Sequence, residues 1–79
     1  MDELDEWTAL VCRELGLDPD EADLAEILEL TREVAHGVER RAAPWTVYLL
    51  GLAQGRGSAP TDAVDRLTDL ARGREPQHG

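Results

Sequence analysis

The stretch His36-Gly37-Val38-Glu39-Arg40-Arg41-Ala42-Ala43-Pro44-Trp45 gathers the residue types best suited to recognition: a titratable ring, an acid, two adjacent arginines and a tryptophan. Arginine forks hold carboxylate or phosphate groups, amides at a helix start favour anions, and tryptophan adds a rigid apolar contact. His36, Glu39, Arg40, Arg41 and Trp45 are therefore the candidate binding residues, for a small anionic ligand or for a protein. The same residues also have a purely structural reading. Arg40 and Arg41 would then pair with the acidic N-terminal half, His36 would complement a helix C-terminus, and Trp45 would sit in the core.

Other constellations carry less chemistry. His36 and His78 are the only histidines, and with Cys12 they make no closely spaced ligand pair of the kind zinc requires. Cys12 lies one residue from an apolar stripe, where cysteine packs as a small hydrophobe, and the surrounding acids do not favour a thiolate. The acids Asp18, Asp20, Glu21 and Asp23 lack the glycine and terminal glutamate of a calcium loop, and capping accounts for them. Gly51, Gly55 and Gly57 are followed by no Lys-Ser/Thr and come after a helical pattern, so they do not form a phosphate loop. With no nucleophile and base to assemble, the expectation is a protein that is not an enzyme and uses no metal or cofactor.

The formal charge of −9 comes from 17 acids against 8 bases, every one an arginine. Such a balance disfavours nucleic acid, since affinity for a phosphate backbone comes from cations displacing counterions. Charge is also uneven: residues 1–39 hold 13 acids and 2 arginines (−11), residues 40–79 hold 4 acids and 6 arginines (+2). The asymmetry either orients two parts of one bundle or presents an acidic face to a partner. A single cysteine, no basic and apolar leader, and no apolar run near the roughly 20 residues that span a bilayer point to the cytoplasm and away from membranes.

The elements that must position these residues are helical. Leu4, Trp7, Leu10, Val11 and Leu15 recur at three- and four-residue steps, with acids in the first turn and Gly16 as a stop, predicting a first helix from about Leu4 to Leu15. Asp18-Pro19-Asp20-Glu21 is a capping-box start to a short turn, and Asp23 caps a second helix patterned on Leu24, Ile27, Leu28, Thr31, Val34, Ala35 and Val38. Pro44 opens a third, from about Pro44 to Gln54, which carries no charge and is apolar on most sides; it is expected to lie buried at the centre. Gly51 and Gly55 would admit a close neighbour. After the loop Gly55–Pro60, with Ser58 or Ala59 leading into Pro60, Ala63, Val64, Leu67, Leu70 and Ala71 mark a fourth.

The sequence thus predicts an all-α, compact four-helix array: one domain over 1–72, a disordered tail over 73–79, and Trp7, Leu28, Val34, Leu49, Leu52 and Leu67 in its core. Short chains gain burial by pairing, and exposed faces of the third helix are where a homodimer would form.

The run from Thr31 to Gly55, TREVAHGVERRAAPWTVYLLGLAQG, together with Leu4-Asp-Glu-Trp7 and Cys12-x-x-Leu15-Gly-Leu17, resembles a small uncharacterised family of helical domains from high-GC bacteria. The resemblance spans about residues 3–57; Arg41 departs from it where the family often has proline. It implies an all-helical domain of unknown activity, found alone or fused to molybdenum-cofactor guanylyltransferases of molybdopterin-guanine dinucleotide biosynthesis. The positions that match its signature include Val34, Ala35, His36, Gly37, Pro44 and Tyr48, most of them packing residues. From the resemblance come two expectations. One is an accessory domain that docks on the guanylyltransferase, a cofactor intermediate or an acceptor molybdoenzyme; the alternative is a general self-associating helical module unrelated to the cofactor pathway, whose fused neighbours reflect genome layout.

Overall fold

The computed structural model describes residues 2–74, and these are all-α: α1 (Glu3–Leu15), a 3-10 turn (Pro19–Glu21), α2 (Leu24–Gly37), α3 (Ala42–Gly55) and α4 (Ala63–Gly73). The expected tail over 73–79 falls outside the described residues except for Gly73, which closes α4, and Arg74.

Local signals set most of the boundaries. Asp2 accepts a hydrogen bond from the Asp5 amide at 2.8 Å and so caps α1, while Gly16 ends it in the left-handed region at φ 71°. Asp18 accepts from the Asp20 amide at 2.9 Å, Glu21 reaches back to the Asp18 amide at 3.3 Å, and Pro19 occupies the first position of the turn. Asp23 then caps α2 through the Glu26 amide at 3.1 Å.

Two starts differ from expectation. Helix α3 begins at Ala42 rather than Pro44, because proline is tolerated throughout the first turn, where amides have no partner inside the helix. Helix α4 begins at Ala63, three residues past Pro60. Pro60 instead opens a turn closed by the Ala63 amide donating to its carbonyl at 3.1 Å, and the Asp62 carboxylate binds Arg66 Nε at 2.8 Å rather than capping the helix.

Packing is centred on α2, which lies against both α3 and α4. Leu30, completely buried, is surrounded by Val34, Ala43, Leu50, Ala63 and Ala71, with Ile27, Val47, Val64 and Leu67 half-buried around them. Gly37 allows the closest approach: a Cβ there would run into the Ala71 carbonyl oxygen, so the last turn of α2 meets the backbone of α4 directly. Outside the core the same two helices are clasped by Arg72, whose guanidinium lies 3.2 Å from Glu33 and 3.9 Å from Glu29.

The expected core is therefore corrected. Val34 is buried and Leu67 half-buried, but Trp7, Leu28, Leu49 and Leu52 are exposed. The buried line of α2 is turned toward Leu30 and Gly37, which brings Leu24 and Leu28 to the surface. Helix α3 is uncharged as expected, yet it buries one side, through Ala43 and Leu50, and the central place belongs to α2. A Cβ on Gly51 or Gly55 would meet nothing within 4 Å, so neither glycine serves a close approach. The chain measures 44 × 30 × 17 Å, its short dimension under two helix diameters of roughly 10 Å, which leaves room for only a thin core.

Candidate functional site: an exposed apolar surface beside the α2–α3 corner

The corner predicted to bind lies where α2 hands over to α3. His36 is exposed on the last turn of α2, and its charge is among the minor influences on Glu33. Val38, Glu39, Arg41, Ala42 and Trp45 border an open hollow of about 340 Å³, which gathers three of the five candidates; His36 and Arg40 do not line it. Within the hollow Arg41 Nε donates to Glu39 Oε1 at 2.7 Å, so the guanidinium closest to it is already matched by an acid two residues away. Arg40, like Arg56 at the far end of α3, forms no ion pair among the described residues. The structural alternative in which both arginines bind the acidic N-terminal half is not realised.

Trp45 is not a core residue. It is 61% exposed and lies beside Tyr48, equally exposed, with ring centroids 6.1 Å apart and planes 14° from parallel. Leu49 and Leu52 continue the stripe along α3, and on its flank Leu49, Leu50, Ala53, Ala59 and Leu67 line a groove of about 370 Å³ toward α4, with Arg66 at the border. Because α3 contains no charged residue, nothing on this helix offsets the cost of leaving that face in water.

Helix α1 presents a second such face. No residue of α1 is buried; the helix packs chiefly on the 3-10 turn, with Thr8, Val11 and Cys12 half-covered. Asp5, Thr8 and Ala9 face a shallow hollow toward Pro19, Leu24 and Ile27. Leu4, Trp7, Leu10 and Leu15 are exposed, Trp7 at 61%. A 13-residue helix is near the limit of what holds together in water without a packed face. In total the chain exposes 6413 Å², against about 4,700 Å² for a folded monomer of its mass.

Electrostatics at the α2–α4 seam are those of a structural clasp. The Arg72 hydrogen bond, followed by the charges of Arg72, Arg32 and His36, holds the Glu33 carboxyl below its usual range against an opposing desolvation, and Glu33 in turn raises Arg72. Among the described residues no three His, Cys, Asp or Glu side chains converge on a point that could hold a metal ion, and no helix is long and apolar enough to cross a membrane.

Sequence reasoning singled out the corner as a cluster of residue types and, by placing Trp7 and Leu28 in the core, did not foresee the outward faces of α1 and α2.

The class defined by fold and surface is a small all-α domain whose most prominent feature is uncovered apolar area. The chain belongs to the family described as a domain of unknown function (DUF6457), which it matches over residues 1–79. No curated protein and no solved structure matches it.

Proposed function

We propose that this chain is a non-catalytic interaction domain that works by binding protein through the exposed apolar faces of α1 and α3. The observation that carries this reading is the exposure of Trp7, Trp45 and Tyr48, each at 61%, on helices whose neighbouring positions are also apolar. Aromatic residues of this kind supply most of the binding energy where interfaces have been dissected, and exposed patches this extensive mark contact surfaces. The acidic balance argues against a nucleic-acid partner.

The setting we propose is cytoplasmic molybdenum-cofactor biosynthesis, on the strength of the sequence resemblance to domains fused to molybdenum-cofactor guanylyltransferases. The domain would act there as an accessory module, its partner the guanylyltransferase or an acceptor molybdoenzyme. The corner of His36, Glu39, Arg40, Arg41 and Trp45 adjoins the α3 face and would contribute polar contacts at its edge.

Calorimetric titration of the chain with the guanylyltransferase from the same cell tests the reading. Saturable binding is expected, lost in Trp45→Ala and weakened in His36→Ala or Arg40→Ala, with thermal stability of the free domain nearly unchanged. Absence of heat at high concentration would remove that enzyme as the partner. Turnover of a molybdopterin nucleotide by the pure chain would contradict the non-catalytic assignment.

A further inference from the structure

We infer that the occupant of this surface is a second copy of the same chain, with α1 of each copy laid across the α3 face of the other. The inference rests on the reading above that the exposed faces of α1 and α3 bind protein, and it assigns those faces to a second copy in place of the guanylyltransferase or an acceptor molybdoenzyme.

Three observations lead to it. The first is area. The chain exposes about 1,700 Å² more than a folded monomer of this mass, an excess to which the uncovered α1 and α3 faces contribute, and one partner of a standard interface gives roughly 800 Å². Two copies therefore hold enough unburied surface for an obligate dimer without rearranging the α2–α3–α4 core.

The second is shape. Both faces are single helical stripes of similar length, about 20 Å each: Leu4, Trp7 and Leu15 with half-covered Val11 on α1, and Trp45, Tyr48, Leu49 and Leu52 on α3. Each repeats at three- and four-residue steps, so the ridges of one can lie in the grooves of the other. Neither helix can satisfy the other within the chain as it is folded, since α1 packs on the 3-10 turn. Exchange between copies covers both stripes at once, in a closed two-fold arrangement.

The third is charge. Along one border of the α1 stripe Glu3, Glu6, Leu10 and Glu14 follow one another at steps of three and four. The α3 stripe contains no acid and lies in sequence between Arg40 and Arg56, which form no ion pair among the described residues; beside it, Arg41 is paired with Glu39 and Arg66, at the edge of the adjoining groove, with Asp62. The acidic helix thus complements the arginine-bracketed one, and the oppositely biased halves of the sequence meet between copies. Two α1 helices set together, or two α3 helices, would bring like charges into contact.

Sedimentation equilibrium of the full chain from about 1 to about 200 µM, where mass action reveals a dimer of ordinary affinity, reads the proposal directly. The wild type is expected to dimerise. A first variant carries Glu3→Arg, Glu6→Arg and Glu14→Arg; a second carries Arg40→Glu and Arg56→Glu. Each alone is expected to weaken the dimer about a hundredfold, because both of its interfaces then oppose like charges. Mixed in equal amounts they are expected to pair again, since every interface of the mixed dimer is complementary. All changed positions are exposed, and circular dichroism of each variant at low concentration verifies that the fold is kept.

A wild type that stays monomeric throughout this range overturns the second-copy assignment. If that monomer still binds the guanylyltransferase, the interaction reading survives with a different partner; if it binds neither, both fall. A dimer that both variants leave intact, or variants that fail to rescue each other, overturns the α1-on-α3 exchange.

Discussion

Helices α1 and α2 are written in the same language and end in opposite circumstances. Both are capped by an aspartate, both carry acids in the first turn, and both repeat apolar residues at helical spacing. In α2 that pattern finds two neighbours and yields Leu30, Val34 and Gly37 buried; in α1 it packs chiefly on a short turn and buries nothing. An amphipathic pattern states that a face is to be covered, but not by which surface or by which chain. The contrast divides the molecule into an α2–α3–α4 unit that shares a core and an α1 arm that buries none of its residues.

The sharpest way to break the contrast is truncation in each region. Leu30→Ala should cost about 2–5 kcal/mol in urea unfolding, the range for emptying a fully buried leucine site. Trp7→Ala, at equal and dilute concentration, should change unfolding by no more than about 0.5 kcal/mol, as at other exposed positions. Equal losses at the two sites would mean that α1 belongs to the core after all.

Glycines give the next contrast, and it is one of sign. Gly37→Ala places a methyl group against the Ala71 carbonyl and should destabilise by about 1–3 kcal/mol as α4 is pushed away. Gly51→Ala adds a methyl to open space on an exposed part of α3 and should stabilise by about 0.5–1 kcal/mol through helix propensity. Melting temperatures of the two variants, moving in opposite directions, would confirm that the close approach is at α2–α4 and not on α3.

The smallest effect concerns the clasp. Arg72 lowers the Glu33 carboxyl from its ordinary 4.5 in the folded chain. A depressed folded value contributes stability above the unfolded value, and that contribution is lost as pH falls through the folded value. Wild-type stability should therefore decline below about pH 4.5, and Glu33→Gln should flatten this part of the profile while leaving a lower plateau at neutral pH. Since the Arg72 side chain is 53% exposed and that of Glu33 20%, added salt should shrink the difference only in part. An unchanged acid limb in Glu33→Gln would show that the α2–α4 seam is held by Gly37 and the apolar contacts alone.

Local signals made the elements legible in the sequence, because caps and turns depend on near neighbours. Asp18, Pro19 and Glu21 could be read as a capping box, Gly16 as a left-handed stop and Asp23 as a cap, and each occupies that role. Burial was much less legible, because it is decided between elements. The stripe read on α2 joined Ile27, Thr31, Val34 and Ala35, which are buried or half-buried, to Leu24, Leu28 and Val38, which are exposed, and it left out Leu30 and Gly37; where the inward line falls depends on where α4 lies. Trp7 reads as core from its helical spacing and Trp45 as either a binding contact or core, and both are among the most exposed apolar side chains. The corner from His36 to Trp45 was visible as a cluster of types, but the pairing of Arg41 with Glu39 and the outward turn of Trp45 follow from the local path of the chain.

Amide hydrogen exchange resolved by segment, at two protein concentrations, tests most directly the claim that α1 waits for a partner outside its own chain. Residues 24–37 should be protected at both concentrations, because their cover comes from α3 and α4. Residues 3–15 should exchange nearly as fast as an unstructured peptide in the dilute sample and become protected in the concentrated one. Protection of α1 equal to that of α2 in the dilute monomer would contradict the account, since the arm would then be held by its own chain.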